Sequence, residues 1–242
     1  MKMLNKFLFL TLFVPNMIFA AAATDNEIKI NQEGDTLTLK IDQIGYGNKL
    51  CGTISSSICG SDWTLTGSSL NIDIDMIGNS NQIFGPTILD SSTLKIEFEG
   101  SDNKWDWNVG QNSADASNLL TKFEGDDNEI DLDWAAQASA ERLDFDFDID
   151  GGSNVFNIDI EVDDATWDVD IDGSSNNVVM SQTDGAYHDI TFELVGSNAD
   201  VDIIQSSGTC PTGINSCYSV ISADFDSENA TITINQKDTG DN

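Results

Sequence analysis

The chain has 242 residues, with 42 acidic against 10 basic side chains and a formal net charge of −32. A field of that sign repels phosphate backbones and anionic bilayer surfaces, so neither nucleic acid nor membrane insertion is expected. His188 is the single histidine and Arg142 the single arginine, and no serine sits beside a partner base, so no enzyme is expected.

Residues 1–23 read as an address rather than as structure. Lys2 and Lys6 form a basic leading region, Phe7 to Val14 an apolar run and Ile18-Phe-Ala-Ala-Ala-Ala23 a small-residue cleavage zone. That order is the signature of a secretory signal peptide, and the apolar run is too short to span a bilayer. Its removal takes away two lysines and no acid, which leaves the chain more acidic still. The expectation is a secreted protein with a single domain over residues 24–242.

The first segment of that domain, Asn26-Glu-Ile-Lys-Ile-Asn-Gln32, alternates apolar and polar residues as a strand with one dry face does. A near copy, Asn229-Ala-Thr-Ile-Thr-Ile-Asn-Gln236, lies close to the other end. Between them a turn recurs as Gly45-Tyr-Gly-Asn48, Gly78-Asn-Ser-Asn81, Gly100-Ser-Asp-Asn103, Gly125-Asp-Asp-Asn128, Gly151-Gly-Ser-Asn154 and Gly173-Ser-Ser-Asn176. Gly196-Ser-Asn198 and Ser227-Glu-Asn229 read as shortened versions. Glycine accepts the positive φ that such turns need, and Asn bonds its own backbone. Cys51 with Cys59, and Cys210 with Cys217, flank Ser/Gly/Thr-rich segments that stretch the spacing. In an oxidising compartment each close pair is expected to form a local disulfide, with a four-thiolate zinc site as the alternative.

The clearest unit is Leu143-Asp-Phe-Asp-Phe-Asp-Ile-Asp150, the Gly151 turn, and the resumed alternation of Phe156, Ile158, Ile160 and Val162. Counting back from each turn aligns the other copies with it. Two positions back lie Gln43, Met76, Phe98, Phe123, Ile149, Ile171, Leu194 and Phe225; six back lie Leu39, Ile72, Leu94, Leu119, Phe145, Trp167, Ile190 and Ile221. Three back the column inverts to Asp42, Asp75, Glu97, Lys122, Asp148, Asp170, Glu193 and Asp224. A repeat this short cannot close its own core, so neighbours must stack. The expected fold is all-β, a solenoid of about eight strand–turn–strand rungs with parallel, in-register pairing.

The strands after the turns carry Trp105, Ile130, Trp134, Val178 and Ile232 inward, and several end in glutamine at Gln111, Gln137, Gln182, Gln205 and Gln236. Stacked Asn and Gln amides are expected to bond from rung to rung. No helical cap is evident at either end, and an uncapped solenoid end invites another strand to add.

Ile41-Asp-Gln43-Ile-Gly45-Tyr-Gly-Asn48, with Gly, Asn and later Gln recurring along the chain, resembles the curlin repeat of bacterial curli subunits. Gln before the Gly occurs only at Gln43, and the acidity and the cysteine segments depart from that family's pattern. The resemblance implies an exported β-solenoid that polymerises into extracellular amyloid fibres for cell adhesion and biofilm. It implies as partners further copies of the chain joined through the solenoid ends, with a cell-surface nucleator or secretion machinery beside them.

The carboxylate rows carry the sharpest chemistry. Asp146, Asp148 and Asp150 are expected beside Asp168, Asp170 and Asp172 of the next rung, where Ca²⁺ is the cation that would bridge them. The plainer reading is a solvated acidic face that keeps the rod soluble, and the chain has no EF-hand loop. His188, just before a strand, reads as a surface turn residue. The leading function class is therefore a self-associating structural subunit. The alternative is a non-polymerising acidic binding module, either a calcium-dependent adhesin or a ligand-binding solenoid.

Overall fold

A computed structural model of the chain describes residues 27–28, 30–50, 64–109, 117–134, 140–183, 187–207 and 219–238. The leader, all four cysteines, Gln111 and Gln137 lie outside them. Eighteen strands follow one another in these residues. They are β1 (Glu27–Ile28), β2 (Asn31–Glu33), β3 (Thr38–Ile44), β4 (Lys49–Leu50), β5 (Thr64–Ser68) and β6 (Asn71–Ile77). Next come β7 (Gln82–Asp90), β8 (Thr93–Glu99), β9 (Lys104–Val109), β10 (Ser117–Glu124), β11 (Glu129–Trp134) and β12 (Ala140–Asp150). The last six are β13 (Val155–Asp172), β14 (Asn177–Thr183), β15 (Asp189–Ser197), β16 (Asp200–Ser207), β17 (Val220–Glu228) and β18 (Thr231–Asp238).

Every pairing is parallel and the strands form two stacks. In sheet 1 the order is β3, β6, β8, β10, β12, the second half of β13, β15 and β17. Sheet 2 stacks β4 and β5, β7, β9, β11, the first half of β13, β14, β16 and β18, with β1 and β2 outermost. The chain is thus an all-β parallel solenoid. Register decides the core, because a one-residue slip would turn every inward side chain outward. Phe147, Val169 and Phe192 lie in register over one another and are all buried. Between the sheets, Phe98 stacks on Phe123 at 5.1 Å, and Phe145 meets Trp134 at 5.4 Å and Trp167 at 5.3 Å. Aromatic rings at such separations add to the burial that holds neighbouring rungs together.

Two corners turn the chain from sheet to sheet. At the first, the glycines of the recurrent turn take φ between 121° and 158°, and the residue two later takes φ between 57° and 66°. At the second, Thr36, Ser69, Ser91, Asp164 and Tyr187 supply the left-handed residue. The turns at Gly196 and Ser227 are full length rather than shortened. Asn198 and Asn229 occupy their left-handed positions (φ 57° and 58°), and Ala199 and Ala230 follow where the other turns place asparagine. Asparagine tolerates that backbone well, so it serves the turn there and not the ladder.

Candidate functional surfaces: the amide ladder, the acidic face and the stack ends

The Asn that closes each turn points inward. Asn48, Asn81, Asn103, Asn128, Asn154 and Asn176 are all buried. Each of the first five donates its backbone N–H to the Oδ1 of the next asparagine, at 2.8–3.0 Å. Asn81 and Asn128 return their Nδ2 to the carbonyl of their own turn glycine, and Asn176 returns its Nδ2 to Gly151 of the preceding rung. The ladder therefore runs from backbone to side chain, rung after rung, rather than from amide to amide. It satisfies corner N–H groups that the sheets leave over. Past Asn176 the column holds Ala199 and Ala230, which have no acceptor.

Glutamines form a second, shorter column. Gln182, Gln205 and Gln236 lie in register, and Gln236 donates to Gln205 Oε1 at 2.9 Å. Trp134 and Ile160 hold the same column in earlier rungs.

His188 is not a surface residue: it is 1 % exposed, at the second corner. Its Nδ1 accepts from Gln182 Nε2 at 2.5 Å and faces the Ala165 N–H at 3.5 Å, which leaves the ring proton on Nε2. Leu70, Ser92, Leu143 and Ala165 occupy the equivalent place in other rungs, eight residues before their turns. The position eight residues before each turn is thus a further inward column, readable from the spacing, and it places His188 in the core.

The outer face of sheet 1 divides in two. In the early rungs Lys40 sits 3.1–3.3 Å from Asp42, Asp73 and Asp75, and Lys95 lies 2.8 Å from Glu97. These partners raise both lysine pKa values and lower that of Glu97. Lys122 of β10, paired with Glu124 and in register with Asp148, is the last lysine on this face among the described residues. Asp146, Asp148 and Asp150 pair in register with Asp168, Asp170 and Asp172, all exposed. Burial, then the carboxylates of Asp168, Asp148 and Asp170, push the Asp146 carboxyl above its ordinary value; burial, then Asp168 and Asp148, does the same to Asp170. Among the described residues no three His, Cys, Asp or Glu side chains converge as a metal-holding group.

An acid whose pKa is higher folded than unfolded binds protons more readily when folded. Its contribution to stability therefore grows as pH falls from neutral through the folded pKa, and is lost as pH rises. Asp168→Lys extends the alternation of Lys40, Asp73 and Lys95 into the acidic half, because all four share one column. It is expected to raise stability at pH 7 by about 0.5–1 kcal/mol and to shrink the gain seen as pH falls from 7 to about 4, near the ordinary carboxylate value. Urea unfolding at the two pH values checks both. A variant no more stable than the parent at pH 7 would remove carboxylate repulsion as a factor.

The ends of the stack show a third surface. Strand β17 pairs only with β15, and β18 only with β16, so each leaves one full edge unpaired among the described residues. Val220 (44 % exposed) and Ile234 (42 %) lie on this last rung, and its inward Ile221, Phe225 and Ile232 are only partly buried. At the other end β3 pairs only with β6, β1 with β4 and β2 with β5.

No protein-family model matches the chain, and neither a curated protein nor a solved structure matches it.

Proposed function

We propose that this is an exported structural protein whose copies associate end to end into an extracellular fibre or matrix. The observation that supports it best is the last rung, where two long, regular parallel strands leave their outer edges free over a half-covered apolar cross-section. Soluble β proteins blunt such edges with prolines, bulges or a covering helix. Here β17 and β18 contain no proline and no helix covers them among the described residues. The resemblance to curlin repeats points the same way, and the acidic outer faces oppose lateral sticking, which favours growth along the axis. The leader and the cysteine pairs are read in the same light, as the marks of export into an oxidising compartment. Adhesion and biofilm formation are the roles such fibres serve.

The purified chain lacking residues 1–23 is expected to form thioflavin-binding fibres with an axial repeat of about 4.8 Å, after a lag that preformed seeds abolish. A chain that stays monomeric by sedimentation at tens of micromolar, with seeds present, would rule the reading out. If that monomer also melted higher in Ca²⁺ than at matched ionic strength, the calcium-dependent binding module would take its place.

A further inference from the structure

The two ends of the rod carry the same strand. One column runs through Ile28, Leu50, Ile83, Trp105, Ile130, Phe156, Val178, Val201 and Ile232 without a break in register. Another leads from Gln32 through Leu65 and Thr87 to Gln205 and Gln236. Ile28-Lys-Ile-Asn-Gln32 and Ile232-Thr-Ile-Asn-Gln236 therefore share more than letters: they fill the same columns of sheet 2 at its opposite ends.

Strand number turns this likeness into a constraint. Within the described residues sheet 1 begins with β3 and ends with β17, whereas sheet 2 begins with β1–β2 and ends with β18. Both ends thus finish on a sheet 2 strand, and that sheet holds one layer more than its partner. Suppose a second copy docks its β3 on β17, extending sheet 1 without a gap. Its β1–β2 and the first copy's β18 must then claim a single slot against β4 and β5. Among the described residues the two claimants are unequally built: β1 and β2 are short strands on β4 and β5, whereas β18 is one continuous strand along β16.

We propose that β1–β2 is a placeholder, occupying in the isolated molecule the slot that β18 of a second copy takes on assembly. In that slot Ile232 meets Leu50 as Ile28 does now, and Gln236 meets Leu65 as Gln32 does now. Displacement makes both sheets continuous across the junction. The placeholder covers an edge that would otherwise be bare, which slows association until a matching strand arrives. This inference rests on the end-to-end reading above and specifies which strands make the contact.

Matched substitutions in one column test it. Ile28→Asp loosens the placeholder and is expected to speed seeded assembly about tenfold, the scale of losing one partly buried isoleucine. Ile232→Asp spoils the incoming strand and is expected to slow assembly at least about tenfold, with circular dichroism showing the solenoid intact in both variants. Hydrogen exchange supplies an independent measurement: amides of residues 27–33 protected in the monomer are expected to lose protection in fibres. Fibres in which those amides stay protected, or in which Ile28→Asp slows growth as Ile232→Asp does, would overturn the placeholder and leave end-to-end assembly standing. A wild-type chain that forms no fibres removes both.

Discussion

Gly125→Ala is expected to destabilise the solenoid by about 3–6 kcal/mol, combining backbone strain with overpacking. Gly125 has φ 130°, a region that side-chain-bearing residues avoid. A Cβ added there would also lie 2.3 Å from the Gly100 carbonyl oxygen, which belongs to the backbone of the preceding rung. Nothing flexible can yield. Relief requires the two rungs to part at the corner, where the Gly100 N–H donates to the Glu124 carbonyl. Gly45→Ala is the matched control. Its φ of 140° carries similar strain, but among the described residues its Cβ would meet only the Asn48 side chain at 3.6 Å. It should cost about 1–3 kcal/mol, the strain alone. Urea denaturation of the pair separates the two effects, and equal losses would show that close stacking of the corners contributes nothing.

The second large effect is expected at Asn128. Asn128→Ala removes the acceptor of the Asn103 N–H and the donor to Gly125, in a place almost closed to water. A buried donor left without a partner, plus the small void, should cost about 2–4 kcal/mol. Asn128→Asp keeps the shape and the acceptor but sets a carboxylate against the Gly125 carbonyl. Burial should raise its pKa, so its penalty is greatest at neutral pH and diminishes as pH falls and the acid protonates, because the neutral acid can again donate to Gly125. Stability of Asn128→Asp measured from pH 7 down to 4 should therefore climb relative to the parent. A flat difference would mean that solvent reaches the ladder.

Much of the architecture was legible because period-two alternation and column alignment report the same thing independently. Phe145, Trp167 and Ile190 could not all face inward at one register unless the rungs stacked. The first corner was legible through its glycines, whose conformation has few substitutes. The second corner was not, since Thr36, Ser69, Ser91, Asp164 and Tyr187 reach the left-handed region with unrelated side chains and at irregular spacing. The same looseness hid the true length of the Asn198 and Asn229 turns: asparagine fits either the left-handed place or the ladder place, and only backbone register tells which. His188 escaped because a single polar residue in an apolar column looks like a break in the strand. The uneven distribution of lysine over sheet 1 needed the pairing of rungs before it had any meaning.

Every strand in both stacks runs the same way, so the rod has a head and a tail that differ in chemistry. A contact between such ends is heterologous, and translation along an axis offers no rotation by which the set could close on itself. Association of this kind has no preferred copy number. If copies join end to end as proposed, the expected population is a broad spread of chain lengths, with no dimer or ring at which growth naturally stops.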